Sequence, residues 1–178
     1  DRLGANPIVM QIPMGFEATF HGVVNVLEQT ATQWEDDLGK DPKQVEIPDE
    51  LKEQAQEARA QLVERIAELD DELTVKYLEG KEINLDELKA ALRRSVISGK
   101  ATPVFCGSSL RNKGVQILLD AVIDYLPSPA DVPPVQGTDP DNEEKIIELR
   151  AADNAPMSAL IFIIVTDSYV CRFAYFRA

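Results

Sequence analysis

Between Asp49 and Leu69 the chain contains neither Gly nor Pro, and this one uninterrupted stretch limits what it can fold into. Leu51, Ala55, Ala58, Leu62, Ile66 and Leu69 recur at steps of three and four, which places them on one side of a helix. Glu50, Glu53, Glu57, Glu64 and Glu68 lie three, four or seven apart and form an acidic stripe on another side. Such a helix must bury its apolar side against a second layer. The preceding residues supply strands for that layer. Ile8 to Ile12 is an apolar run between Pro7 and Pro13-Met14-Gly15. Phe16, Ala18 and Phe20 alternate with polar neighbours, and Val23 to Leu27 is β-branched. A turn-rich acidic stretch, Glu35 to Asp41, follows them.

Beyond the long helix, the pattern predicts a short helix over 71–78 that stops at Gly80. A third starts at Asn84, where Glu87 completes a capping box, and carries Leu85, Leu88, Ala91, Leu92 and Val96. Strand periodicity returns in Ala101 to Cys106, followed by the small-residue turn Gly107-Ser108-Ser109. A helix from Gly114 to Leu126 is expected to turn Val115, Leu118, Leu119, Val122 and Ile123 inward and to stop at Pro127. Residues 127–157, rich in Pro, Asp, Glu and Asn, read as a linker. Residues 158–165 read as an apolar strand and 168–178 as a second one. A chain that closes inside a hairpin is expected to be a piece of something longer, because a natural domain seldom leaves a fresh strand edge unpaired.

Charge narrows the function. With 31 Asp+Glu against 18 Lys+Arg the net charge is −13, which argues against gripping a phosphate backbone, since that affinity comes from Lys and Arg. The charge is uneven. Residues 46–90 hold fourteen acids and six bases, whereas 91–130 hold two acids and five bases. The longest apolar run, Ala159 to Val165, is too short to span a bilayer, and no apolar signal core opens the chain. Cys106 and Cys171 lack metal-type spacing and fit a reducing compartment. A cytoplasmic location is therefore expected, with no metal site and no membrane contact.

Phosphate-cradling loops are absent. Gly39-Lys40, Gly80-Lys81 and Gly99-Lys100 have Trp34, Val75 and Arg94 where a P-loop needs its first Gly, and Asp41, Glu82 and Ala101 where it needs Ser or Thr. Asn112-Lys113 resembles half a guanine motif, but Val115 stands where Asp is required. His21, the only histidine, has no visible catalytic partner and reads as an ordinary sheet residue. Cys106, at a strand end, reads as a small buried residue rather than a nucleophile. No catalytic residue is assigned.

The informative stretch runs Thr102-Pro103-Val104-Phe105-Cys106-Gly107-Ser108-Ser109-Leu110-Arg111-Asn112-Lys113-Gly114-Val115-Gln116, then Leu118-Leu119-Asp120-Ala121-Val122-Ile123-Asp124-Tyr125-Leu126-Pro127-Ser128-Pro129. It closely resembles translation elongation factor G, which has a Gly-Ser-Ala turn, Asn-Lys-Gly-Val-Gln and a helix ending Asp-Tyr-Leu-Pro-Ser-Pro. Other stretches are similar to the same family. They are Asp1 to Pro7, Phe20 with Gly22 to Val24, Lys76 to Gly80, Thr166-Asp167, Tyr169-Val170, Arg172 and Phe176-Arg177.

The resemblance implies an α/β fold. Residues 1–7 and 99–130 would be the C-terminal edge of a P-loop GTPase domain, and 8–98 an inserted α+β subdomain. Residues 131–157 would be an acidic linker, and 158–178 the truncated start of a β-barrel second domain. It also implies roles. Asp1 would close the guanine motif, its carboxylate accepting both edge N–H groups of the base. Gly107, Ser108 and Ser109 would be the turn whose backbone N–H meets the guanine carbonyl, with Ser109 replacing the usual Ala. Cys171 stands where the family usually has Gly. The parent would be a ribosomal translocation GTPase using GTP, GDP and Mg. P-loop, switch regions and catalytic histidine are missing here, so this chain alone is expected to bind no cofactor, to hydrolyse nothing and to bind no nucleic acid directly. In the family the insert faces the ribosomal stalk protein, whose C-terminal domain offers lysines, so Glu53, Glu57, Glu64 and Glu68 are expected to contribute to that contact on the ribosome. The competing reading is an autonomous acidic α+β interaction module unrelated to GTP.

Overall fold

The computed structural model describes residues 4–36, 38–152, 154–167 and 171–177. The described residues form a mixed α/β structure with four α-helices and several small sheets, and the chain divides into two compact units, 1–127 and 128–178.

In the first unit, β1 (Pro7–Val9) pairs in parallel with β6 (Thr102–Val104), Ile8 facing Pro103. A four-stranded antiparallel meander lies between them in sequence: β2 (Gln11–Met14), β3 (Gly22–Asn25), β4 (Thr30–Trp34) and β5 (Pro42–Val45), in that spatial order. Met10 joins the two sheets. Its N–H donates to the Val104 carbonyl and its own carbonyl accepts from Val26. β1 therefore pairs with 102–104, and the meander begins after Met10.

The register explains why these strands read as continuous apolar runs. Ile12, Val24 and Ala31 stand in one row and belong to the main core. Val23, one residue along β3, points to the other face and joins Phe20 and Trp34 in a second cluster, against which Cys106 and Ile117 pack. Successive strand side chains alternate between faces, so a sheet covered on both sides carries apolar residues in both registers. The expected strand through Phe16–Phe20 is instead a 3-10 turn over Glu17–Thr19. Phe16 N–H donates to Thr19 Oγ1 at 3.0 Å and that hydroxyl donates back to the Phe16 carbonyl at 2.8 Å. Glu17 takes a φ of 49°, which breaks the strand.

Three helices cover the main core: α1 (Asp49–Glu68), α2 (Asp71–Leu78) and α3 (Leu85–Ile97). Ala55, Leu62 and Ile66 of α1 meet Leu88, Ala91 and Leu92 of α3, all buried. Burying each leucine or isoleucine contributes about 1.5–3 kcal/mol. Asn84 caps α3 as expected, accepting from Glu87 N–H at 2.9 Å while the Glu87 carboxylate accepts from Asn84 N–H at 3.1 Å. Asp70 separates α1 from α2. Its side chain accepts from Leu73 N–H at 3.2 Å and from the Arg94 guanidinium. Burial pushes the Asp70 carboxyl up, but Arg94 and the Leu73 N–H together hold it below its ordinary value. A depressed carboxyl contributes stability above its unfolded pKa, and that contribution is lost as pH falls through the folded one. Asp70→Ala is thus expected to cost about 1–2 kcal/mol at neutral pH and much less in acid. Urea melts at both pH values check this.

The fourth helix, α4 (Val115–Tyr125), corrects the expected facing. Ala121 and Tyr125 are its buried residues and Val115 is half-buried, whereas Leu118, Leu119, Val122 and Ile123 are exposed, Ile123 by 75%. α4 is apolar over a wide arc, with Gln116, Asp120 and Asp124 in one polar stripe, and α3 takes only its Ala121–Tyr125 side, with Arg93 Nη1 donating to the Ile123 carbonyl at 3.1 Å. Among the described residues of this unit nothing covers the other side.

The second unit holds two hairpins in separate sheets. β7 (Val135–Asp139) pairs with β8 (Asn142–Leu149), so the stretch expected to be a linker contains ordered antiparallel structure. Lys145 Nζ reaches Asp139 Oδ2 at 2.8 Å across its turn. β9 (Leu160–Asp167) pairs with β10 (Cys171–Arg177), with a register shift at Tyr175/Phe176. Leu160 to Val165 are exposed on both faces of this hairpin. No helix among the described residues is long and apolar enough to cross a membrane.

Candidate functional site in the 107–114 turn

β6 leads into a tight loop that closes just before α4. Ser108 N–H donates to the Lys113 carbonyl at 2.8 Å, and Lys113 N–H donates to the Ser108 carbonyl at 3.0 Å, forming an isolated antiparallel bridge. Asn112 N–H donates to the Ser109 carbonyl at 3.1 Å, and Asn112 takes a φ of 52°. The neck admits no side chain. A Cβ on Gly107 would lie 2.8 Å from the Lys113 oxygen. One on Gly114 would lie 3.0 Å from the Cys106 oxygen, and Gly114 itself has a φ of +85°, a conformation glycine adopts without the Cβ penalty. Both glycines at the two ends of the loop are thus required by close backbone approach.

This geometry separates the three residues expected to present N–H groups. The Ser108 N–H is consumed inside the turn. The N–H groups of Gly107 and Ser109 have no acceptor among the described residues, and Ser109 is exposed beside Leu110, which is 97% exposed at the tip. Lys113 is only 4% exposed. Asp1 lies outside the described residues, so the turn is placed without it.

Side chains missed in the sequence hold the turn from behind. Arg111 Nη1 donates to the Ala18 carbonyl at 3.1 Å, and Cys106 N–H donates to Gln11 Oε1 at 3.1 Å. Gln116 Nε2 and Asn112 Nδ2 both donate to the Gly39 carbonyl, at 3.1 and 3.5 Å. Gly39 belongs to the acidic stretch 35–41, where Asp36 Oδ2 accepts from Leu38 N–H at 3.1 Å and Lys40 N–H at 2.9 Å. The Lys40 N–H is the main reason the Asp36 carboxyl sits below its ordinary pKa. The sequence signal was an Asp three residues before a Gly in a polar stretch, a pattern for side-chain-to-backbone turns.

Burial pushes the Cys106 thiol up, which disfavours the thiolate a nucleophile needs. Tyr125 is more strongly shifted. Burial, with Asp124 and Glu28 adding to it, raises its hydroxyl from 10.0 to about 12. The unfolded chain would ionise first, so stability is expected to fall as pH rises from about 10 toward 12. In an ultraviolet titration, the late phenol ionisation of Tyr125 should disappear in Tyr125→Phe. His21 donates Nδ1–H to the Thr19 carbonyl at 2.9 Å, the tautomer a carbonyl acceptor requires.

Glu53, Glu57, Glu64 and Glu68 all lie exposed on α1. Gln61 Nε2 donates to Glu57 Oε1 at 3.4 Å, and Gln61, Glu64, Arg65 and Glu68 line an open depression. This surface and the 107–114 turn are separate features of the first unit. Among the described residues no group of three or more His, Cys, Asp or Glu gathers to hold a metal ion.

No family model matches the chain. It is similar to the solved structure of the protein ttk003000868 from Thermus thermophilus, with 26% identity and a TM-score of 0.73. The similarity covers 99% of this chain and 23% of the Thermus chain, so the sequence spans about a quarter of that protein's length.

Proposed function

We propose that the chain is part of a P-loop GTPase of the translation-factor class and supplies the guanine end of its nucleotide site. Within that class the proposed protein is elongation factor G, whose full-length form drives ribosomal translocation with GTP. The observation that carries the reading is the strand, pinched turn and helix formed by β6, residues 107–114 and α4. That arrangement leaves the exposed Ser109 N–H without an acceptor among the described residues. A backbone N–H fixed in this way suits a base carbonyl, because it costs no reorganisation when the ligand arrives. The parallel β1–β6 pair supports the same reading, since parallel strands ordinarily belong to larger sheets covered on both faces. The apolar side of α4 is then where the rest of that domain packs.

In the whole protein Ser109 would bind the guanine carbonyl and Asp1 its N–H edge. GTP or GDP with Mg supplies the phosphoryl chemistry, and the groups that handle it lie on the remainder of the protein. This chain alone then binds no nucleotide usefully. The full-length protein, titrated with a fluorescent GDP, is expected to bind it and to reject the adenine analogue. Failure to bind, or equal binding of both, overturns the reading, as does micromolar GTP-analogue binding by the isolated chain in calorimetry.

The exposed Glu53, Glu57, Glu64 and Glu68 are proposed to meet the lysines of the ribosomal stalk protein's C-terminal domain in the cytoplasm. Charge complementarity of this kind raises encounter rate more than final affinity. Titration of isotope-labelled chain with the stalk domain should shift α1 resonances in a salt-sensitive way. Shifts that are absent, or indifferent to salt, refute this contact.

A further inference from the structure

We propose that Asp36 and the segment from Leu38 to Lys40 form a latch that holds the 107–114 turn in its ligand-ready shape, making Asp36 and Gly39 positioning residues for whatever base that turn receives. The inference rests on the guanine reading for its ligand, but its structural half stands apart. Two features set the latch. First, Gly39 is buried against the turn so closely that a Cβ would lie 2.3 Å from the Asn112 oxygen and 2.7 Å from the Arg111 oxygen, and its φ is +61°. Second, its carbonyl receives both Gln116 Nε2, from the first turn of α4, and Asn112 Nδ2, from the loop itself.

Asn112 is the strained member, at a φ of 52°. A non-glycine residue in that region needs surroundings that fix it, and the Gly39 carbonyl is one group that does so. Asp36 in turn shapes the loop that carries Gly39, through the Leu38 and Lys40 N–H groups. Behind both, Trp34 at the end of β4 packs in one cluster with Ile117 of α4, so the latch stands on a buried base. The chain of contacts runs from Asp36 to the Leu38 and Lys40 N–H groups that flank Gly39, from the Gly39 carbonyl to Asn112, and so to the carbonyl of Ser109.

The test uses Asp36→Ala and Asp36→Asn. Asparagine keeps a carbonyl oxygen for the two N–H groups that Oδ2 now receives, whereas alanine keeps none. In this chain, amide exchange at Ser108 and Lys113 is expected to quicken about tenfold in Asp36→Ala, the scale of one or two lost hydrogen bonds, and to stay near wild type in Asp36→Asn. Core amides of α1 and α3 should not change in either. In the full-length protein, GDP release should accelerate in Asp36→Ala and return in Asp36→Asn. Release of the diphosphate of 2-aminopurine riboside, which lacks the guanine carbonyl, should be unaffected. Unchanged exchange at Ser108 and Lys113 in Asp36→Ala removes the latch. Equal acceleration for both nucleotides reduces Asp36 to a structural residue and overturns the positioning role. A wild-type full-length protein that binds no GDP defeats the guanine reading while leaving the exchange result to decide the latch.

Discussion

Leu92→Ala is expected to destabilise the 1–127 unit by about 3 kcal/mol, within the range found when a buried leucine is truncated and a cavity remains. Leu92 is fully buried on α3, in the layer where that helix meets α1 above the Ile12–Val24–Ala31 row of the sheet. Two helices and a sheet share the site, so no single side chain can move in to fill it. Urea unfolding followed by helical circular dichroism reads the loss directly. A cost below about 1 kcal/mol would mean that this layer repacks freely. Leu119→Ala, on the exposed side of α4, is the matched control and should change stability by no more than about 0.5 kcal/mol.

Gly114→Val should have a comparable effect, confined to the site. A β-branched residue at a φ of +85° is a steric outlier, and its Cβ would press on the Cys106 carbonyl and the Gly107 Cα, at 3.0 and 3.2 Å. The left-handed conformation alone costs about 1–2 kcal/mol, and the contacts add to it. Opening the neck is the cheapest relief, so the Ser108–Lys113 bridge should be lost. Nuclear magnetic resonance should show the amide protons of Ser108 and Lys113 exchanging freely while those of α3 remain protected. Retained protection at Ser108 would show that the turn tolerates a side chain at its neck.

The helices of the main core were legible because their signals are local. Apolar steps of three and four mark α1, and the Asn84–Glu87 pair marks the start of α3 with hydrogen bonds reaching only three residues. Signals that need a distant partner were not legible. α4 was recognised as a helix, yet its facing was inverted, because its one polar stripe of Gln116, Asp120 and Asp124 leaves a wide apolar arc that does not say which part this chain will cover. The β7–β8 hairpin was hidden by composition. Its acidic and amide residues outweigh the few apolar ones at Val135, Ile146, Ile147 and Leu149. Phe16–Phe20 alternated like a strand, but the positive φ of Glu17 and the Thr19 hydroxyl closing on Phe16 make it turn. At the candidate site, the 107–114 segment stood out by its resemblance to a known family. Its support did not, since Gly39 and Gln116 lie far apart in sequence, and nothing local in either announces the other. Within the turn, the resemblance treated Ser108 and Ser109 alike, and only the hydrogen-bond pattern distinguishes them.

The parallel pairing of β1 with β6 carries a topological consequence. Two parallel neighbours cannot be joined by a tight hairpin, because the chain must travel back to the starting end, which ordinarily takes a dozen or more residues and often one helix. Here the return path is everything from Met10 to Ala101, including the four-stranded meander and three helices. The whole sheet-and-helix layer is, in wiring terms, one greatly enlarged crossover. A protein engineer wishing to excise it would have to leave a bridging segment long enough to span the strand length, and could not simply ligate Val9 to Thr102. Conversely, any cargo whose ends lie about one short strand apart could be spliced into the same place, provided it also replaces what Gly39 now gives to the 107–114 turn.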